Sequence, residues 1–216
     1  MISLPVPKGL IFRDNDEKKR LEGQNGIRQA LYVFDCVDKW SSDTRLTPET
    51  LCELQRLAVN QIYRCAGHFR DGPVRIGNVV HQPPDHGLVA PLIDQMCDYI
   101  DRSWNNLLPV DIASYVMWRI NWIHPFFGGN GRTARAASYL VLCAKLGFLP
   151  PGKETIQELI AENREPYYRA LQSADAAWER GILDISDMRQ VIADALAEQL
   201  VRVFSQATGI QHQIGG

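Results

Sequence analysis

Residues 109–124, PVDIASYVMWRINWIH, read as a helix that is apolar almost all the way round. A helix without a polar face has to be enclosed by others, so this stretch belongs at the centre of a helical fold. A second strongly apolar helix, NGRTARAASYLVLCAKLG (130–147), follows almost at once, closed by Gly147 with Lys145 in its last turn. No apolar run approaches the roughly 18 residues of a membrane span, and MISLPVPKGL lacks the apolar core of a signal peptide. With 45% hydrophobic and 22% charged residues the chain reads as an ordinary soluble globular protein. A net charge of −2 argues against bulk attraction to nucleic acid or to an anionic membrane. The cysteines at 36, 52, 65, 97 and 143 are odd in number, widely spread and without a C-x-x-C pair. They suit small core residues in a reducing compartment, and the cytoplasm is the expected location; export by a dedicated machine would leave the same composition.

The remaining segments are shorter signals. TPETLCELQRLAVNQIYRCAG (47–67) opens with a Thr-Pro helix start, carries Leu51, Leu54, Leu57, Ala58 and Ile62 at helical spacing, and ends at Gly67. HFRDGPVRIGNVVHQPP (68–84) holds β-prone pieces around DG and GN and reads as a small hairpin ended by prolines. Residues 88–104 are helical, 154–206 form two or three amphipathic helices, and 11–22 with 25–39 supply one or two more. Without repeats or low-complexity linkers the count is one domain. The class is all-α with one small β-hairpin.

The two apolar helices are joined by HPFFGGNGRTAR, residues 124–135. A helix start offers unpaired N–H groups and the positive end of the dipole, and both favour an anion. Gly129 and Gly131 let backbone approach phosphate oxygens without a Cβ in the way. Arg132 and Arg135, three apart, project near the same end of the helix, an arrangement that suits a polyphosphate. His124 beside such a site is positioned to act as a general base toward an incoming hydroxyl, in its neutral form. Together these residues suggest transfer of a phosphate-containing group from a nucleotide to an alcohol. Taken singly, each has a plainer reading as a helix-ending histidine or a solvated arginine. His68, His81 and His86 make no convincing metal cluster, and His212 lies in a loose tail.

The string resembles the signature of the Fic family, H-P-F-x-[D/E]-G-N-G-R-x-x-R, at His124, Pro125, Phe126, Gly129, Asn130, Gly131, Arg132 and Arg135. GHFRDGPVRIG is similar to the family's hairpin flap, and NREPYYRALQSAD to the helix after the core motif. The resemblance implies a Fic domain over 46–208, preceded by an N-terminal helical segment (1–45) and followed by a tail (209–216). It implies an all-α protein adenylyltransferase that moves AMP from ATP to a Ser, Thr or Tyr hydroxyl of a target protein. His124 would be the base and Phe126 the anchor of the loop. Gly129, Asn130 and Gly131 would form the anion hole, and Arg132 and Arg135 would hold the outer phosphates. In the flap, Val74, Arg75 and Ile76 would dock the target by strand addition, with Ile76, Gly77 and Asn78 lining the nucleotide. Tyr167 and Tyr168 would sit near the adenine, and Asp175 stands where relatives often have Asn. A homodimer is left open.

Two positions depart from that pattern. Gly128 stands where the family has the acid that holds Mg²⁺, so ATP is the expected substrate while Mg²⁺ loses its usual protein ligand. A slow enzyme whose Mg²⁺ is held only by phosphates and water, an enzyme with a differently charged donor, and a binding module that has lost catalysis all remain open. Transfer from another phosphate-containing donor and removal of AMP are further alternatives. A carboxylate introduced at 128 would be expected to complete a metal shell, unless positive φ there strains any side chain. The second departure is in KKRLEGQNGIRQA (18–30), which resembles the family's inhibitory helix, [S/T]-x-x-x-E-[G/N]. Glu22-Gly23 match, but Lys18 replaces the hydroxyl residue. Glu22 would pair with the second motif arginine, Arg135, and block the γ-phosphate; a helix ending at Glu22 with Gly23 as its cap is the plainer reading.

Overall fold

In a computed structural model the described residues are 10–40, 45–77 and 81–209. Eight α-helices follow one another in them: α1 (Asn15–Lys39), α2 (Pro48–Val59), α3 (Val89–Ser103), α4 (Pro109–Ile123), α5 (Asn130–Leu146), α6 (Ile156–Glu162), α7 (Arg164–Glu179) and α8 (Ser186–Thr208). A 3₁₀ turn at His86–Leu88 leads into α3.

Helices α4 and α5 form the centre and pack most extensively against each other. Helix α4 is buried without a break from Ile112 to Ile120, as its lack of a polar face requires. Helix α5 is buried from Ala136 to Cys143, and the hydroxyl of Ser138 donates to the Ala113 carbonyl at 2.8 Å. Around this pair α1 and α2 pack on α5, α3 packs on α4, and α7 and α8 pack on α4, with α6 against α8. The helix starts are locally encoded: Asp14 accepts from the Glu17 N–H, Thr47 from the Thr50 N–H with Pro48 behind it, and Asp111 from the Leu108 N–H. Gly147 closes α5 in left-handed geometry, φ +78°. Arg119 is a charge buried among aromatic rings, its guanidinium carbon 4.5 and 4.9 Å from the ring centroids of Trp122 and Trp178.

Three expectations need correction. The front of the chain is one unbroken helix, since α1 runs through Gly23 and Gly26 instead of ending at Glu22. Its docking supplies what the glycines lack: the buried amides of Asn25 and Gln29 donate to the Asn60 and Leu54 carbonyls, each at 2.8 Å. Helix α2 stops at Val59, well short of Gly67, because Gln61 takes φ +59° and reverses the chain, dropping Ile62 into the core. The β-hairpin expected in 68–84 is absent from the described residues, where the pairing seen is an isolated bridge between Leu10 and Tyr63. Both legs of that segment instead give carbonyls to one guanidinium, Arg70 reaching Gly72 at 3.2 Å and Pro84 at 2.6 Å. Residues 72–77 still alternate between half-buried and exposed, as an extended segment does.

Candidate active site

The loop 124–129 is held from three directions. His124 ends α4 in the left-handed region, φ +50°, a conformation uncommon for a residue with a Cβ. Arg70, 3% exposed, pays for it: its Nε donates to the His124 carbonyl at 2.8 Å, its Nη2 to Ile123 at 3.3 Å, and its backbone N–H to Pro125 at 2.8 Å. These are carbonyls that a helix end leaves unpaired, and the cation also faces the negative end of the dipole. Phe126 is fully buried against Phe69, ring centroids 5.4 Å apart. Gln55 of α2 donates to the Gly128 carbonyl at 3.0 Å and accepts from the Gly67 N–H at 2.6 Å, which ties the loop to the chain beyond α2.

At the start of α5 the N-cap is Gly129, φ +81°, and no side chain caps the helix. The N–H groups of Asn130, Gly131 and Arg132 are thus the ones a helix leaves without an internal acceptor. A Cβ on Gly131 would stand 3.5 Å from Arg135 Nη1, so the Arg135 guanidinium folds back beside this turn. Burial lowers the pKa of Arg135, and Arg132 Nη1 is enclosed without a hydrogen-bond partner. Two guanidinium groups beside an uncapped helix start, one with an enclosed unpartnered nitrogen, give this end the character that suits an anion. Asn130 enters it only through its backbone. Its side chain accepts from Phe126 N–H at 3.0 Å and donates to Phe126 O at 2.7 Å, bracing the loop from inside.

The imidazole of His124 opens into an adjoining cleft of about 420 Å³, bounded by Ile76, Trp122, Tyr168, Leu171 and Asp175 among others. Burial pushes the His124 pKa down to about 4, helped by the charge of Arg70 and by His81; the nearby Asn121 carbonyl offsets part of this. Its Nδ1 is enclosed without a bonding partner. The ring is neutral near pH 7 and its Nε2 is the nitrogen left for an incoming group. Asp175 accepts from Trp118 Nε1 at 2.8 Å and stands 3.8 Å from His81 Nδ1, with burial raising its pKa. Tyr168 is on the cleft, but Tyr167 is not: it is 3% exposed, in the core beside Arg135, with its hydroxyl enclosed. Val74, Arg75, Ile76 and Gly77 lie on the extended segment, with Ile76 at the cleft, while Asn78 lies outside the described residues.

Glu22 reaches the anion-binding end from α1, but not as expected. Its Oε1 lies 3.7 Å from Arg132 Nη2, and the groups that bear on Arg135 are instead Tyr167, Arg164, Tyr168 and Arg132. The unbroken α1 sets this register, because the Asn25 and Gln29 anchors fix which turn of the helix faces α5.

The space around Gly128 decides whether a side chain there could hold a metal. Its φ is not left-handed, so its backbone would accept a side chain. A Cβ there, however, would lie 2.6 Å from Tyr63 Cζ and 2.8 Å from its hydroxyl oxygen. The residues present do not fit a protein-held Mg²⁺: Gly128 offers no ligand, Tyr63 fills the space, and no group of three His, Cys, Asp or Glu among the described residues could hold a metal. Sequence reasoning missed Tyr63, Arg70 and Gln55. Arg70 carried only a faint signal, one of two arginines in a β-prone stretch, whereas Tyr63 was hidden inside a helix expected to run on to Gly67.

The fold thus joins a histidine-ended helix, a bonded loop and an arginine-flanked helix start whose free N–H groups suit an anion. Residues 45–142 match the Fic/DOC family model. The chain is 28% identical over 157 residues to the protein adenylyltransferase Fic of Drosophila willistoni, covering 72% of this chain and 28% of that protein. It is 26% identical over 171 residues to the one from Drosophila ananassae, covering 78% and 31%. It thus spans less than a third of the length of these curated relatives. Among solved structures, Fic-1 (134–508) from C. elegans superposes with a TM-score of 0.71 at 20% identity, covering 96% of this chain and 56% of that one. A Fic-domain signalling protein from Bacteroides thetaiotaomicron gives 0.70 at 19% identity, covering 94% and 78%. These similarities show the fold. No helix among the described residues is long and apolar enough to cross a membrane.

Proposed function

We propose that this chain transfers AMP from ATP to a hydroxyl side chain of a protein target, held back by Glu22. One observation carries the reading: an enclosed, neutral His124 faces a cleft that meets an uncapped helix start with Arg132 and Arg135 beside it. In the reaction the target oxygen forms a bond to the α-phosphorus while the bond to the bridging oxygen breaks, and pyrophosphate leaves. The hydroxyl proton passes to His124 Nε2. The amides of Asn130, Gly131 and Arg132 and the two guanidinium groups offset charge on the phosphates. Asp175 and Tyr168 suit the base and ribose end in the cleft. The extended segment at Val74–Ile76 is suited to receive a target strand by backbone pairing. The names of the Drosophila relatives point the same way.

Incubation with each nucleoside triphosphate, followed by intact-mass measurement, tests this. Self-modification by an adenylyl group with ATP is the expected result, and its absence in a Glu22→Gly variant as well would count against the reading. A second reading, a donor other than ATP, is favoured by the ring of Tyr63 at the place of a metal ligand; the same donor screen separates the two.

A further inference from the structure

We infer that Tyr63 and Gly128 are a matched pair in which a phenol takes the place of a metal-ligating carboxylate, so that the nucleotide's phosphates are held by a hydroxyl donor and two arginines. The proposal rests on the nucleotide reading above.

The ring is built into its position. After α2 the reversal at Gln61 buries Ile62 and presents Tyr63, whose N–H bonds the Val59 carbonyl at 3.2 Å. The segment before α1 bridges to it, with Ile11 N–H donating to the Ile62 carbonyl at 3.2 Å. Phe12 and Tyr63 pack on a small cluster of Leu21, Ala58, Val59 and Ile62. Tyr63 therefore does not swing freely, and an added Cβ at Gly128 would press on its ring carbons as well as its oxygen.

Its chemistry suits the position. Burial raises the phenol's pKa, so it stays protonated and able to donate; the charge of Arg132 works the other way, and Glu22 adds to the rise. The hydroxyl thus lies within electrostatic reach of the ion pair that guards the anion-binding end, and it makes no hydrogen bond among the described residues. A polyphosphate replacing Glu22 at Arg132 would bring oxygens to a waiting O–H. As pyrophosphate leaves, this donor, the two guanidinium groups and the helix N–H groups meet the growing charge. No electrons move to or from the protein, and the target's proton goes to His124 as before.

The test uses the full chain in a Glu22→Gly background, with non-hydrolysable α,β-methylene-ATP as the probe. Calorimetry gives its Kd in EDTA and in Mg²⁺, and melting temperatures are measured alongside. The parent should bind with Kd values that differ by no more than about threefold between the two conditions, because no protein carboxylate completes a metal shell. Tyr63→Phe, which keeps the ring, should weaken binding about tenfold through the lost donor. Gly128→Asp should lower the melting temperature by about 3–10 °C from overpacking, but should cost little in a Tyr63→Ala background. In that double variant Mg²⁺ should tighten binding about tenfold. Additive melting shifts, a Tyr63→Phe protein that binds like its parent, or a parent that needs Mg²⁺ would each overturn the pairing while leaving the nucleotide reading standing. A parent that binds no nucleotide in either condition would overturn both.

Discussion

His124 is the residue on which most rests, and its environment makes a specific statement about pH. Its pKa is depressed to about 4 by burial, against an ordinary value near 6.5. A group depressed in this way contributes stability that is fully present above about pH 6.5 and is lost as the pH falls through about 4. Wild-type melting temperature should therefore decline across that window more than in His124→Ala, in paired thermal scans. The same variant should remove transfer while nucleotide affinity stays nearly unchanged, since its work is in the chemical step; retained transfer would exclude His124 as the base. Glu22 makes the second statement at this scale. Both side chains of the Glu22–Arg132 pair are partly exposed, so its worth to stability is small, under about 1 kcal/mol. Glu22→Ala, which keeps the helix propensity of α1, should raise transfer up to about fivefold with little change in melting temperature. The gain should vanish when Arg132 is already alanine, and should persist when Arg135 is. A gain abolished only by Arg135→Ala would return the brake to the arginine that the sequence pattern suggested.

Elements explain why some of this could be read from the sequence and some could not. The centre was legible because α4 and α5 carry apolar residues on every side and end in histidine and glycine signals that need no partner to be recognised. The turn between them was legible for the same local reason, Gly129 opening α5 where the glycine-rich string placed a helix start. What escaped was set by contacts distant in sequence. Helix α2 has helical spacing as far as Ile62, yet it ends at Val59, where the chain reverses at Gln61 and Asn25 of α1 takes the Asn60 carbonyl. No hairpin pairing is present among the described residues of 68–84, where Arg70 collects the Gly72 and Pro84 carbonyls. Arg70 is also the element-scale test. Arg70→Lys keeps a charge but not the fork that serves His124, Ile123, Gly72 and Pro84, and leaves buried carbonyls unpaired at about 1–3 kcal/mol each. Steady-state kinetics should show kcat falling more than KM changes, because the C-terminal end of α4 loses its hold on His124; equal loss in both would make Arg70 a plain structural residue.

At the scale of the whole molecule the described residues fall into two parts of unequal firmness. The α4–α5 centre is packed on all sides, and a deletion there, such as Ile120→Ala, should cost about 2–5 kcal/mol in chemical denaturation. The front helix is different. Helix α1 carries Gly23 and Gly26 in its interior, and nothing lies within 4 Å of where a Cβ would stand on either. Each such glycine lowers helix stability by about 1 kcal/mol relative to alanine, and both sit beside Glu22. If Glu22 holds transfer back as proposed, the balance between its paired and released states is set partly by the helix backbone, away from any group that touches a phosphate. Gly23→Ala and Gly26→Ala should shift that ratio toward the occupied-arginine state and slow basal transfer by up to about fivefold each, multiplying when combined. Amide exchange over residues 18–26 should slow in step. A pair of natural substitutions with no contact to the site could in this way reset how active such a protein is at rest, leaving its chemistry and its specificity untouched.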